Sequence, residues 1–236
     1  MKAPKLYLCF ALVIMVFIGL LAEEQDIFKA VEKGDLDQVK KLVEKDKKLL
    51  VSTNQNGSSP LHAAAFAGHT DIVDYLLSEG IDPDIPNPGK LTPLMGAVYF
   101  GHKETADILL GNGADINFKD SRGSVPLRFA INRGNSDMVK FLIEKGAQLN
   151  VRDNIGNTML LLTVMRNDLN LTRLLIENGM DINVRNNRGG TPFSIAKREG
   201  YDEIVQYLLE QGAETGREET FILKGDYLGQ TPPGNT

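Results

Sequence analysis

Three histidines, His62, His69 and His102, are the side chains best suited to proton transfer or metal ligation near neutral pH. The single cysteine, Cys9, is the one thiol nucleophile in the chain. Among the acids, Asp35 with Asp37 and Asp82 with Asp84 stand close enough in sequence to be weighed as general acid/base pairs. Catalysis needs more than these: a nucleophile, base and orienting group that converge, or metal ligands at workable spacing. The sequence holds no phosphate-cradling glycine loop, no spaced cysteine or histidine metal motif and no nucleophile elbow. The interval from His69 to His102, however, organises the whole chain.

Leu61, Leu94, Leu127, Leu160 and Phe193 recur at that same interval, a period of about 33 residues, as do Gly80, Gly113, Gly146, Gly179 and Gly212. Around each landmark the order repeats: Ser or Thr before Pro (Ser59-Pro60, Thr92-Pro93, Thr191-Pro192), a short apolar run, a Gly or polar break, a second run, then the closing Gly. The hydroxyl accepts from free N–H groups at a helix start, and Pro at the first helical position loses no bond. The closing Gly takes the left-handed conformation that ends a helix. Each unit therefore predicts a helix, a tight turn, a second helix and an exposed loop.

In these residues the chain resembles the ankyrin repeats. Ser59-Pro60-Leu61-His62-Ala63-Ala64 is similar to the family's Thr-Pro-Leu-His-x-Ala motif, and Gly68-His69 and Gly101-His102 to its inter-helix turn. Gly113-Ala114-Asp115-Ile116-Asn117 is similar to its Gly-Ala-Asp-x-Asn loop entry. Five clear repeats begin near residues 54, 87, 120, 153 and 186, after a degenerate first repeat over 25–53 in which Ile27, Ala30, Gly34 and Val39 match Leu61, Ala64, Gly68 and Val73. The resemblance covers 23–214 and leaves 215–236 as a C-terminal tail, expected to cover the last repeat's edge as far as about Leu228. It implies an all-α repeat solenoid of about six stacked helix-turn-helix units joined by hairpin-like loops, with polar outer faces at both ends. Counted from the clear repeat at residue 54, repeats three and four depart from the pattern, with Val125 where the Thr cap belongs, Met159 for Pro, and Thr163-Val164 for the small pair. Their packing should be less ideal, at a cost of about 1 kcal/mol for the missing cap alone.

The resemblance makes His62 a structural histidine that links one repeat's loop to the next. Stacking sets His69 and His102 about one helix-packing distance apart, roughly 8–10 Å. The acidic pairs read as loop and helix-start residues. The expectation is a protein with no catalytic residues, no metal and no cofactor, whose task is binding.

In the family, the concave surface comes from loop tips and from two positions near the end of each first helix. The helix positions here are Phe66 and Ala67, Tyr99 and Phe100, Asn132 and Arg133, Met165 and Arg166, and Arg198 and Glu199. The loop tips are Pro86, Lys119, Arg152 and Arg185, with Gly89, Arg122, Ile155 and Arg188 further on in the same loops. The resemblance thus implies an aromatic patch at Phe66, Tyr99 and Phe100. Beside it runs a basic ladder of Lys119, Arg122, Arg133, Arg152, Arg166, Arg185, Arg188 and Arg198. Arg and aromatic side chains dominate interface energetics, so the expected partner is a protein surface that is part acidic and part apolar. The alternative is that the loop tips are merely solvated and that Phe66 and Phe100 pack under neighbouring loops. A polyanion is a rival ligand, disfavoured by the net charge of −5 and by export.

Export is predicted by the first 22 residues. Lys2 and Lys5 precede Leu6 to Ala22, which carries no charge, and Glu23 and Glu24 follow. A secretory signal fits, with an uncleaved anchor as the alternative, since a helix of that length reaches about 26 Å against a hydrocarbon core of roughly 30 Å. Either way the repeats lie outside the cytoplasm, periplasmic or secreted. Without Lys2 and Lys5 the balance is 24 bases against 31 acids, and without Cys9 the exported part folds free of disulfides. Over the whole chain, 42% hydrophobic residues exclude a disordered protein, and one cysteine excludes a disulfide scaffold. Asn56-Gly57-Ser58 and Asn170-Leu171-Thr172 are glycosylation acceptors on paper, the first at a loop tip. The leading function is an exported, non-catalytic interaction scaffold of bacterial type, monomeric, supporting a periplasmic stress or redox enzyme. The alternatives are a secreted effector acting on host proteins and an immunity or inhibitor protein of a partner enzyme.

Overall fold

A computed structural model describes residues 26–215. The expected leader at 1–22, and all but the first residue of the tail, lie outside the described residues.

The described chain is a row of helix pairs. Residues 26–32 form α1, followed by α2 (Leu36–Lys45) and a 3-10 turn (Lys47–Val51). Then come α3 (Pro60–Ala67) with α4 (Thr70–Ser78), α5 (Pro93–Phe100) with α6 (Lys103–Gly111), and α7 (Pro126–Arg133) with α8 (Ser136–Glu144). The last pairs are α9 (Met159–Met165) with α10 (Leu169–Glu177), and α11 (Pro192–Glu199) with α12 (Asp202–Glu210). First helices pack on first helices and second on second, so the stack has two helical layers. No strand occurs among the described residues.

The caps explain why each helix starts where it does. The Ser59 hydroxyl accepts from the His62 N–H at 3.4 Å, Thr92 from Met95 at 3.4 Å, and Thr191 from Ser194 at 3.1 Å. Pro follows in each case at the first helical position. First helices end on left-handed Gly68, Gly101, Gly134 and Gly200, but in repeat four Asn167 takes that conformation, at φ 55°. Asn is among the few side chains that tolerate it. The five glycines that close the second helices have φ between 83° and 93°, as the sequence predicts.

The landmark residues form the core. Leu61, Leu94, Leu127 and Leu160 are fully buried, and Phe193 nearly so. Thr163 is buried where the other repeats carry Ala64, Ala97, Ala130 and Ala196. It is accommodated because its hydroxyl donates to the Leu160 carbonyl at 2.9 Å and accepts from Thr172 at 3.0 Å.

Each loop is a small hairpin fixed by one side chain. The N–H of Asn54, Asn87, Asp120, Asp153 and Asn186 donates to the carbonyl of Ser58, Leu91, Ser124, Asn157 and Gly190 respectively, at 2.9–3.1 Å. The same five side chains accept from two N–H groups within their own loop, as Asp120 does from Arg122 and Ser124 at 2.8 and 2.7 Å. Where the second helices hand over to the loops, Asp84, Asn117 and Asn183 each accept from a backbone N–H of the next repeat at 2.8–2.9 Å. Bonds within and between loops together make the loop-side face a fixed surface.

Candidate functional site

The histidines are held within the stack. His62 Nδ1 accepts from the Ser59 N–H at 3.2 Å, and its Nε2–H donates to the Leu91 carbonyl of the next loop at 2.8 Å. Burial pushes its pKa below the usual histidine value, against the opposing pull of the Leu91 carbonyl, so the ring is neutral at pH 7. His102 Nε2 donates to the Phe66 carbonyl at 3.0 Å, with its ring against Gly68. His69 reaches the Glu32 carbonyl at 3.4 Å. All three rings join one repeat to its neighbour, and among the described residues no group of three or more His, Cys, Asp or Glu could hold a metal. The acidic pairs serve the backbone too: Asp35 caps α2 by accepting from Gln38 at 3.0 Å, and Asp82 accepts from the Asp84 N–H at 2.9 Å.

All eight ladder cations are exposed, but they differ in what else they touch. Arg152 Nη1 donates to the Gly156 carbonyl at 2.9 Å and to the Arg185 carbonyl at 2.6 Å, so it fastens the fourth loop to the fifth. Arg198 is paired with Glu199 at 2.6 Å, and the Arg133 guanidinium lies 4.9 Å from the Tyr99 ring centroid. Lys119, Arg122, Arg166, Arg185 and Arg188 make no ion pair among the described residues.

The aromatic residues form a continuous run. Phe66 lies 5.9 Å from Phe100, Phe100 lies 5.1 Å from Tyr99 edge-on, and Tyr99 lies 6.4 Å from Phe129. Phe66 is half-buried because it fills the space over Gly96, where a Cβ would fall 1.8 Å from its ring carbons. Tyr99 and Phe100 are exposed, at 37% and 53%. Phe129 carries the run into the third repeat. Sequence reading missed it, although it stands one full period after Gly96, where a ring replaces a bare position.

Sequence reading also missed Arg128. It occupies the position of His62 two repeats on, and its Nη1 donates to the Asp153 carboxylate at 2.8 Å. Burial pushes that carboxyl up. Hydrogen bonds from Arg128, Asn157 and Ile155, together with the Arg128 charge, outweigh it and hold Asp153 below the usual carboxylate range.

Beside this bridge the loop face opens. The Ser121 N–H donates to the Gly89 carbonyl at 3.1 Å and the Asn187 N–H to the Ile155 carbonyl at 3.4 Å, linking successive loops. The equivalent bond, from Asn154 to Arg122, is absent among the described residues. Between these loops lies a groove of about 590 Å³, whose walls include Leu91, Arg122, Arg128, Phe129, Asn132 and Ile155.

A two-layer helical stack with a fixed loop face and a mixed aromatic and cationic surface defines a repeat-type interaction module. The chain belongs to the ankyrin-repeat family: the family described as ankyrin repeats (3 copies) matches residues 27–120 and 126–219. A stretch of 64 residues, 27% of this chain, is 41% identical to the 2-5A-dependent ribonuclease of Mus musculus and covers 9% of that protein. Another of 48 residues, 20% of this chain, is 44% identical to the 26S proteasome non-ATPase regulatory subunit 10 of Mus musculus and covers 21% of it. The chain thus matches only a small part of either relative. Ankyrin repeats are typical of non-catalytic proteins that bind other proteins.

Proposed function

We propose that this protein is an exported, non-catalytic scaffold that binds a partly acidic, partly apolar protein surface across its loops and first-helix ends. The observation that carries this reading is the continuity of an aromatic run, exposed at Tyr99 and Phe100, with an exposed cationic surface. The run Phe66, Phe100, Tyr99 and Phe129 meets Arg133 directly, and the cations Lys119, Arg122, Arg166, Arg185 and Arg188 are exposed without an internal counter-ion among the described residues. Aromatic and arginine side chains at a partly apolar patch are the residues that give protein interfaces most of their energy. Arg152 belongs to this face chiefly as the strut between two loops. The leader at 1–22 supports action outside the cytoplasm, in a periplasm or beyond the cell, where such a scaffold would serve a stress or redox enzyme.

The test is capture from the exporting cell's own envelope extract with the wild type, with Arg185→Glu/Arg188→Glu, and with Lys140→Glu on α8 as control. The expected outcome is one or more proteins held by wild type and control and released by the double reversal. An unchanged set of captured proteins would exclude the basic face as the binding surface. Export is tested separately by locating the full-length chain in fractionated cells, and recovery in the cytoplasm alone would overturn that part.

A further inference from the structure

We infer that the groove between repeats three and four is a docking site for an extended peptide segment of the partner, one that places a large apolar side chain next to acidic residues. This inference rests on the proposed binding role and narrows it to one place and one chemistry.

Three observations converge on the groove. First, it lies at a break in the loop ladder. The Asn154 N–H and the Arg122 carbonyl lack the mutual bond that their counterparts make on either side, from Ser121 to Gly89 and from Asn187 to Ile155. The third and fourth loops are therefore not fastened to each other at this point, unlike the loops on either side.

Second, part of the groove wall is apolar. Phe129 and Leu91 line it together with Ile155, which is 56% exposed. A volume of about 590 Å³ exceeds what one side chain fills, so an apolar anchor and its flanking backbone can both enter.

Third, the exposed charge is cationic. The two acids in the walls are already committed. Asp120 accepts from the Arg122 and Ser124 N–H groups, and Asp153 accepts from Arg128 and from two N–H groups of its own loop. Arg128 is taken up by Asp153, whereas the Arg122 guanidinium has no ion-pair partner among the described residues. Arg133, stacked on Tyr99, adds a second cation next to the groove-lining Asn132. An acidic residue flanking the anchor meets these cations, and a basic one is repelled.

The experiment is selection from a random peptide display library on the purified, folded protein, followed by fluorescence-polarisation titration of the enriched peptides. The expected consensus pairs one aromatic or branched aliphatic residue with aspartate or glutamate. Enriched peptides should lose at least tenfold in affinity on Arg122→Glu and on Ile155→Asp, and be held unchanged by Lys140→Glu on α8, which lies outside the groove. Both altered groove side chains are exposed, and matched thermal melts verify that the variants fold. No enrichment, a basic consensus, or affinity indifferent to Arg122→Glu and Ile155→Asp overturns the inference. If envelope capture still depends on Arg185 and Arg188 in that case, the broader binding role stands and only the groove is excluded.

Discussion

The Arg128 guanidinium donates to the Asp153 carboxylate at 2.8 Å, and Asp153 in turn accepts from the N–H groups of Ile155 and Asn157. One ion pair therefore links a first helix to the loop of the next repeat, at the step where the loop-to-loop backbone bond is missing. The Asp153 side chain is 7% exposed and that of Arg128 23%, so solvent screens the pair only in part. Arg128→Met should cost about 1–3 kcal/mol, because it leaves a buried carboxylate short of its strongest partner. The sign with pH follows from the lowered pKa. The contribution is complete above the unfolded value near 3.8 and is lost as pH falls through the lower folded value. Urea unfolding at pH 7 and pH 3 checks this, with the gap between wild type and Arg128→Met expected to shrink at the lower pH.

His62 gives a second pH dependence, in a different window. Burial depresses its pKa, so the folded protein holds fewer protons than the unfolded chain. Stability due to this neutral ring is complete above about 6.5 and declines as pH falls from there through the folded value. His62→Gln should lower stability by about 1–2 kcal/mol at pH 7.5, through loss of the bonds to Ser59 and Leu91. The variant should also flatten the thermal-melt profile between pH 6.5 and pH 5. A variant slope equal to that of the wild type in this range would place the titration elsewhere.

Phe66 and Gly96 are predicted to be strongly coupled. A Cβ on Gly96 meets the Phe66 ring at 1.8 Å, yet Ala is the better helix former by about 1 kcal/mol. Gly96→Ala should therefore be neutral to destabilising by about 1 kcal/mol in the wild type, with Phe66 pushed outward, and stabilising by about 1 kcal/mol in a Phe66→Ala background. A double-mutant cycle measured by denaturant unfolding should return a coupling of about 1–2 kcal/mol. Coupling close to zero would show that the ring does not occupy that space.

Most of the fold is legible in the sequence, because the single repeat period, the hydroxyl-Pro starts and the closing glycines are each local devices with one geometric outcome. The site is legible only in part. Register alone brings Phe66, Tyr99, Phe100 and the cations to one side, but register does not say which of them are already in use. Arg152 holds the Arg185 carbonyl, Arg198 holds Glu199, and Phe66 leans into the gap at Gly96. Arg128 and Phe129 went unmarked for the same reason. Their significance comes from Asp153 and Tyr99, partners that stand in neighbouring repeats and far from them along the chain.

The two irregular repeats have defective caps of opposite kinds. Val125 cannot cap, as the sequence indicates, and the Arg128 N–H turns instead to the Val125 carbonyl at 2.9 Å. Thr158 has the correct hydroxyl but makes no cap bond, and its Oγ1 is buried without a partner. Pro follows the cap in the repeats that use it, whereas Met159 follows Thr158. An unsatisfied buried hydroxyl costs about 1–3 kcal/mol, so Thr158→Val should raise stability by about 1 kcal/mol even though it removes a residue type that caps helices elsewhere in the chain. Val125→Thr supplies a hydroxyl where the N–H already has a carbonyl, so its gain should stay below about 1 kcal/mol. Chemical denaturation of the two single variants checks both values. A destabilised Thr158→Val would mean that the hydroxyl finds a partner in solution, and the start of α9 would then be capped like those of α3, α5 and α11.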